Sequence, residues 1–193
     1  MSINSSAIIP RKKRPISVDM YHQMIDAGIL TELDKVELIL GEIIDMSPVG
    51  SKHATTVKVL NHLLQSIYAE SAVIGVQDPV ELPNNSMPEP DISILKPPFD
   101  HYFIAHPSPA EIWALIEVSD ETYKFDKGTK LRMYASANIA LYMIVNIQGG
   151  CIEVHTQPKN DTYTRQEILF PGDRLTLPLT DKTLAISDII RSA

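Results

Sequence analysis

The sequence has almost no cysteine, and this excludes several classes of protein. Cys151 is the single cysteine among 193 residues, so an internal disulfide framework and a cysteine-rich zinc site are both excluded. No apolar run approaches the roughly 20 residues that a membrane-spanning helix needs. The N-terminal stretch MSINSSAIIPRKKRP lacks the apolar core of a signal peptide. These features favour a cytoplasmic protein with no membrane partner.

Basic residues are also fewer than acidic ones. With 17 Lys and Arg against 24 Asp and Glu, the net charge is −7, which argues against a large nucleic-acid surface. The basic residues form two clusters, RKKR at 11–14 and a second made by Lys124, Lys127, Lys130 and Arg132. We expect the first cluster to belong to a flexible tail over residues 1–16. The length then predicts a single domain over 17–193.

Hydrophobic periodicity and turn residues predict the order of the secondary-structure elements. Residues 17–28 predict a helix with Ser17 as N-cap and Gly28 as C-cap, and a β-hairpin should turn at Leu40-Gly41. A second helix is predicted over 54–70 and a third after residue 120. The predicted later strands are AVIGVQDPVEL, PDISIL, IWALIEVS, ALYMIVNI, CIEVH, TYTRQEILF and RLTLPL. This order predicts a mixed α/β domain with one central sheet, flanking helices and a β-rich C-terminal third.

Two carboxylates lie on what read as core strands. Asp91 opens the strand PEPDISIL, and Glu117 lies inside the apolar stretch WALIEVSD. A buried carboxylate is costly unless it is paired, hydrogen-bonded or bound to a metal. Two carboxylates on neighbouring strands can hold a hard cation such as Mg²⁺ through oxygen ligands. A nearby lysine could then orient water or stabilise the charge of a transition state.

The basic residues after Glu117 supply that lysine. Lys127 and Lys130 are three residues apart, so on one helix they should share a face. We expect Lys130 to reach into the site and Lys127 to remain a solvated lysine. Glu37, on the early hairpin, is either a surface charge or a third carboxylate that orients the lysine or a second metal. His53 stands at the mouth, but as a loop or cap residue it is left out of the catalytic set.

Structural explanations of the same residues remain open. Asp91 after a proline could begin a turn or a strand, and Glu117 could form a buried ion pair with Lys130 without catalysis. Asp126 is expected to cap the helix that carries Lys130. A nucleophilic Ser119 has no support, since no histidine is placed to activate it. The aromatic residues expected in the core or an interface are Trp113, Tyr134 and Tyr142.

Three stretches together carry a resemblance to a known family. VELILGEIIDMSPVGSKH, PVELPNNSMPEPDISIL and LIEVSDETYKFDKGTKLRMYASANIALYMIVN resemble the Uma-type restriction endonuclease family, a branch of the PD-(D/E)XK nuclease superfamily. The resemblance runs from about Ser17 through the C-terminal strands. Its most specific positions are, in order, Pro90, Asp91, Glu117, Val118, Ser119, Asp126, Lys130 and Tyr134.

The resemblance implies a restriction-endonuclease-like core that hydrolyses DNA with Mg²⁺, or with Mn²⁺ as a substitute. Asp91 and Glu117 match the metal ligands, and the backbone carbonyl of Val118 is the implied third ligand. The superfamily usually places lysine two positions after the second acid, where this chain has a serine, so Lys130 is the implied replacement. Glu37 matches the acid on the early hairpin.

Other functions are compatible with the same residues. One is a nuclease-like domain that no longer cuts and serves as a nucleic-acid-binding or dimeric interaction module. Another is a nuclease that acts on RNA or on repair intermediates. Every charged group that the chemistry needs is present, which favours an enzyme. Because an acidic protein binds a polyanion poorly, we expect a homodimer that brings two basic helix faces together on DNA.

Overall fold

The computed structural model describes residues 13–31 and 33–190 of the chain. Most of the tail predicted over 1–16, including the first two residues of the RKKR cluster, lies outside the described residues. At the start of the described chain, the backbone N–H of Ile16 donates to the carbonyl of Gly41 at 2.9 Å. None of the helices in the described ranges is long and apolar enough to cross a membrane.

Helices and strands are interspersed along the chain, and the C-terminal part consists mostly of strands. The helical elements are α1 (Val18–Asp26), α2 (Ser51–Tyr68), a 3₁₀ turn (Phe99–Phe103), α3 (Tyr123–Phe125), a π-helical turn (Asp126–Lys130), α4 (Leu131–Ser136) and α5 (Ile186–Ile189). The strands are β1 (Val36–Ile39), β2 (Glu42–Asp45), β3 (Val73–Gly75), β4 (Ile92–Leu95), β5 (Ile112–Ser119), β6 (Leu141–Asn146), β7 (Cys151–Lys159), β8 (Thr162–Leu169), β9 (Arg174–Thr176) and β10 (Thr183–Ala185).

A six-stranded mixed sheet forms the centre of the molecule, in the order β3-β4-β5-β6-β7-β8. β5 and β6 are parallel, and the other neighbouring pairs are antiparallel. β5 and β6 are buried almost throughout because α2 and α5 cover one face of the sheet and α4 covers the other. The predicted mixed α/β fold with a β-rich C-terminal third is confirmed.

The early elements form at the predicted positions, with small shifts at their ends. Ser17 caps α1, its Oγ accepting a hydrogen bond from the N–H of Met20 at 3.2 Å. The C-cap is Ala27, and Gly28 follows it with a φ of 67°, a conformation that favours glycine. The hairpin turns at Leu40-Gly41 as predicted, and α2 begins at residue 51 rather than 54.

In the helical segment 123–136, Lys127 and Lys130 point to different strands, which differs from the prediction. Lys127 Nζ lies 2.9 Å from Glu153 Oε2 on β7, whereas Lys130 Nζ lies 3.0 Å from Glu117 Oε1 on β5. The prediction that the two lysines share a face is therefore wrong. Lys127 is exposed, as expected of a solvated lysine, but it also pairs with Glu153. Both lie in the π-helical turn, whose wider turn separates residues that an α-helix would align.

Asp126 is not the helix cap that the sequence suggested. The helix begins three residues earlier, so Asp126 lies inside it and is buried. Its Oδ2 accepts hydrogen bonds from Ser119 Oγ at 2.7 Å and from Thr122 Oγ1 at 2.6 Å. The carboxylate therefore ties the helical segment to the end of β5, next to Glu117.

Glu153 anchors the same helical segment to β7. It is 2% exposed and accepts hydrogen bonds from Tyr123 Oη, from Lys127 Nζ at 3.0 Å and from Gln166 Nε2 at 2.8 Å. Burial alone would raise the pKa of Glu153, but the bonds from Tyr123 and Lys127 outweigh it and lower the pKa. An ionised Glu153 thus fixes the segment against the sheet, and with it the position of Lys130.

Candidate active site

The site residues predicted from the sequence line one open cavity of about 530 Å³. It lies where β4 begins and β5 ends, between the β1–β2 hairpin and the first turn of α2. The register pairs Ile92 with Ile116, so Asp91 comes level with Glu117 at this end of the sheet. The predicted residues that line the cavity are Glu37, Asp91, Glu117, Val118 and Lys130.

Three groups hold the Asp91 carboxylate. Oδ2 accepts the backbone N–H of Val118 at 2.9 Å and lies 2.9 Å from His53 Nε2. Oδ1 accepts a hydrogen bond from Gln77 Nε2 at 3.1 Å. The hydrogen bond to Asp91 raises the pKa of His53, against the opposing effect of burial. Asp91 therefore has a fixed orientation toward the end of β5.

Glu117 is buried beside the lysine and a tyrosine. It is 4% exposed, and its Oε1 accepts hydrogen bonds from Lys130 Nζ at 3.0 Å and from Tyr134 Oη at 2.8 Å. Burial raises the pKa of Glu117 to about 8, with Lys130 opposing and the nearby carboxylates adding to the rise. Burial thus favours the protonated form of this carboxyl group, and added positive charge in the cavity would favour the ionised form.

Lys130 bridges two buried carboxylates. Its Nζ lies 3.0 Å from Glu117 Oε1 and 3.2 Å from Glu37 Oε1. Burial alone would lower the pKa of Lys130, but Glu117, Glu37 and Asp126 together raise it above its ordinary value. Glu37 is in turn held through Oε2, which accepts the backbone N–H of Glu89 at 3.2 Å. The ammonium group thus stays charged and fixed in the cavity.

The oxygen atoms around Asp91 fit a hard divalent cation. The Ser119 carbonyl accepts the N–H of Ile147 on the β6 side, so the N–H and carbonyl of Val118 point to the β4 side, toward Asp91. Two carboxylates and this carbonyl form an all-oxygen donor set of the kind that Mg²⁺ prefers. Across the described ranges, no three His, Cys, Asp or Glu side chains are arranged as a metal site.

Several residues that contact the site lie outside the predicted catalytic and metal-binding set, although His53 was expected at its mouth. His53 and Gln77 both contact Asp91, and Glu89 lies beside Glu37. Tyr134, expected in the core, is fully buried but also contacts Glu117 through its hydroxyl. Its position four residues after Lys130 on one helix was a signal that could have identified it. The contacts of His53 and Gln77 have no comparable local signal.

The mixed sheet, with acidic residues where β4 begins and β5 ends, has the arrangement expected of a restriction-endonuclease-like fold. A family model described as "Putative restriction endonuclease" matches residues 18–187. The chain belongs to this family, Uma2.

A solved structure has the same fold. It is described as a "putative nuclease belonging to DUF820 from Anabaena variabilis ATCC 29413", and the TM-score is 0.70. The two proteins are 16% identical over 91% of this chain and 97% of the other, so the similarity supports the fold alone. No protein with a curated function matches the chain at a significant level.

Proposed function

We propose that this protein is an Mg²⁺-dependent endonuclease that hydrolyses phosphodiester bonds in DNA. The observation that carries the proposal is the convergence of Asp91, Glu117 and Lys130 in one cavity, although they are distant in sequence. Membership of the Uma2 family supports a nuclease over other uses of the same groups.

Each residue has a role that follows from its contacts. The carboxylates of Asp91 and Glu117 and the carbonyl of Val118 would hold the metal ion, with Mn²⁺ able to replace Mg²⁺. When bound, the ion supplies positive charge at the phosphate and increases the acidity of water. Lys130, a fixed and charged donor, would orient the attacking water and stabilise negative charge on a phosphate oxygen.

The remaining contacts position these groups. His53 and Gln77 orient the Asp91 carboxylate, and Tyr134 does the same for Glu117. Glu37 holds the ammonium of Lys130 in reach of the cavity. The raised pKa of Glu117 means that its carboxyl group must release a proton before it can serve as a ligand.

Metal affinity should therefore increase with pH. Because the pKa of Glu117 is about 8, its carboxyl is largely protonated below that pH, and a cation has to displace the proton. We expect the apparent Mn²⁺ affinity to rise by up to about tenfold per pH unit up to pH 8 and to level off above it. Titration calorimetry between pH 6 and 9 in buffers of different ionisation enthalpy measures both the affinity and the released proton.

The Glu117→Gln variant is the control for this dependence. It keeps the shape of the side chain but cannot ionise, so the part of the pH rise and of the proton release that comes from Glu117 should disappear. Any part that comes from His53, which contacts Asp91, should remain. An affinity in the wild-type protein that stays constant from pH 6 to 8 would contradict the assignment of Glu117 as a ligand.

The substrate is tested directly with a panel of labelled nucleic acids. Duplex DNA, single-stranded DNA and RNA are incubated with Mg²⁺, with Mn²⁺ or with a chelator. We expect internal cleavage of DNA with either metal and none with the chelator. Cleavage of RNA alone would overturn the DNA assignment, and no cleavage of any substrate would favour an interaction module that no longer cuts.

A further inference from the structure

The strand β8 lies at one edge of the central sheet. Among the described residues it pairs with β7 on one side, and no strand pairs with it on the other. Six of its eight residues are exposed, from Thr162 to Ile168 with Tyr163 excepted. A strand edge carries backbone N–H and carbonyl groups that can pair with another chain.

The side chains of β8 are of types that favour pairing with another strand over exposure to water. The segment TYTRQEILF is rich in β-branched and aromatic residues, which favour paired strands. Ile168 is 45% exposed and Phe170, just beyond the strand, is 52% exposed. In the described part of the chain, neither Arg165 nor Glu167 forms an ion pair. The edge therefore has both apolar surface and charges available for a partner.

We infer that β8 pairs in antiparallel register with β8 of a second copy of the chain, with Gln166 on the two-fold axis. This register places Arg165 of each copy opposite Glu167 of the other, which gives two symmetric ion pairs. Residues directly opposite in an antiparallel pair lie on the same face and interact. The interface is then self-complementary, as a two-fold dimer requires.

The neighbouring registers are less favourable. A shift of the partner by two residues in one direction places Arg165 opposite Arg165, and a shift in the other direction places Glu167 opposite Glu167. Like charges directly opposite destabilise a strand pair. On the axis itself, Gln166 Nε2 already donates to Glu153 Oε2 within its own chain at 2.8 Å, so the central side chains are satisfied before the copies meet.

The inferred dimer joins two six-stranded sheets into one continuous sheet and leaves both cavities accessible. The cavity lies at β4 and β5, and in the sheet order β6 and β7 separate β5 from β8. A pair of eight-residue strands is a small interface, so we expect association in the micromolar range. The interface goes beyond the proposed hydrolysis and can be tested without it.

Charge reversal tests both the interface and its register. Arg165→Glu alone and Glu167→Arg alone each place like charges opposite one another twice, so both variants should be monomeric where the wild-type protein dimerises. The double variant R165E/E167R restores opposite charges and should dimerise. An equimolar mixture of the two single variants should form a heterodimer, because each then meets the opposite charge at both positions. Sedimentation velocity over a concentration series measures all four.

Lys58→Glu is the matched control, because it reverses an exposed charge on α2 and changes the net charge by the same amount as R165E. It should leave dimerisation unchanged. A wild-type protein that stays monomeric at high micromolar concentration would overturn the inference. A dimer that persists in either single variant would also overturn it, as would a mixture that fails to associate.

Discussion

Asp91→Asn is expected to abolish most of the hydrolysis while leaving the fold intact. Asparagine keeps an oxygen that can accept the N–H of Val118, but it removes the negative charge that would hold the cation. Because the ion is the largest positive charge available to the transition state, we expect cleavage to fall by about 10³-fold or more. Initial rates on labelled duplex DNA at saturating Mg²⁺ measure the loss.

The same variant should lose affinity for Mn²⁺ in calorimetry, which separates a missing ligand from a damaged fold. Asp100→Asn, on the exposed 3₁₀ turn away from the cavity, is the matched control and should behave as wild type. If Asp91→Asn cleaves DNA at the wild-type rate, Asp91 takes no part in the chemistry.

Lys130→Met is expected to lower both stability and activity. The substitution keeps the length of the side chain but leaves the Glu37 carboxylate buried without its cation and removes a hydrogen-bond donor to Glu117. Removing one partner of a buried ion pair costs roughly 3–5 kcal/mol in the free energy of unfolding. Cleavage should fall by about 10²-fold or more, since a fixed donor to the transition state is lost. Urea unfolding and initial cleavage rates measure the two effects.

A double variant separates the structural role of Lys130 from the catalytic one. Glu37→Gln combined with Lys130→Met removes the uncompensated charge of Glu37, so much of the lost stability should return. Hydrolysis should stay low, because the ammonium is still missing. If activity recovers together with stability, Lys130 forms a buried ion pair and takes no part in the chemistry.

The strands of the sheet and the two unusual acids could be predicted from the sequence because both leave local patterns. The apolar runs at 112–119 and 141–146 are strands because both faces of the sheet are covered, and length and composition reveal this. Asp91 and Glu117 stood out because a carboxylate on a buried strand is costly. Lys130 could be predicted from its position after Glu117, and the family resemblance then implied the same lysine.

The contacts that the sequence did not predict depend on tertiary structure. The π-helical turn at 126–130 sends Lys127 to β7 and Lys130 to β5, and no periodicity in the sequence distinguishes it from an α-helical turn. His53 meets Asp91 across 38 residues of chain, because α2 lies over the end of the sheet where β4 begins. No local sequence pattern predicts either contact.

Crystals soaked in Mn²⁺ and measured at the manganese absorption edge give the most direct test of the metal site. We expect one anomalous peak between the carboxylates of Asp91 and Glu117, within bonding distance of the Val118 carbonyl. Glu117 and Lys130 would both remain in the cavity around it. If no peak forms there at pH 8 or above, and Glu117 keeps only its bonds to Lys130 and Tyr134, then the cavity does not hold a divalent ion.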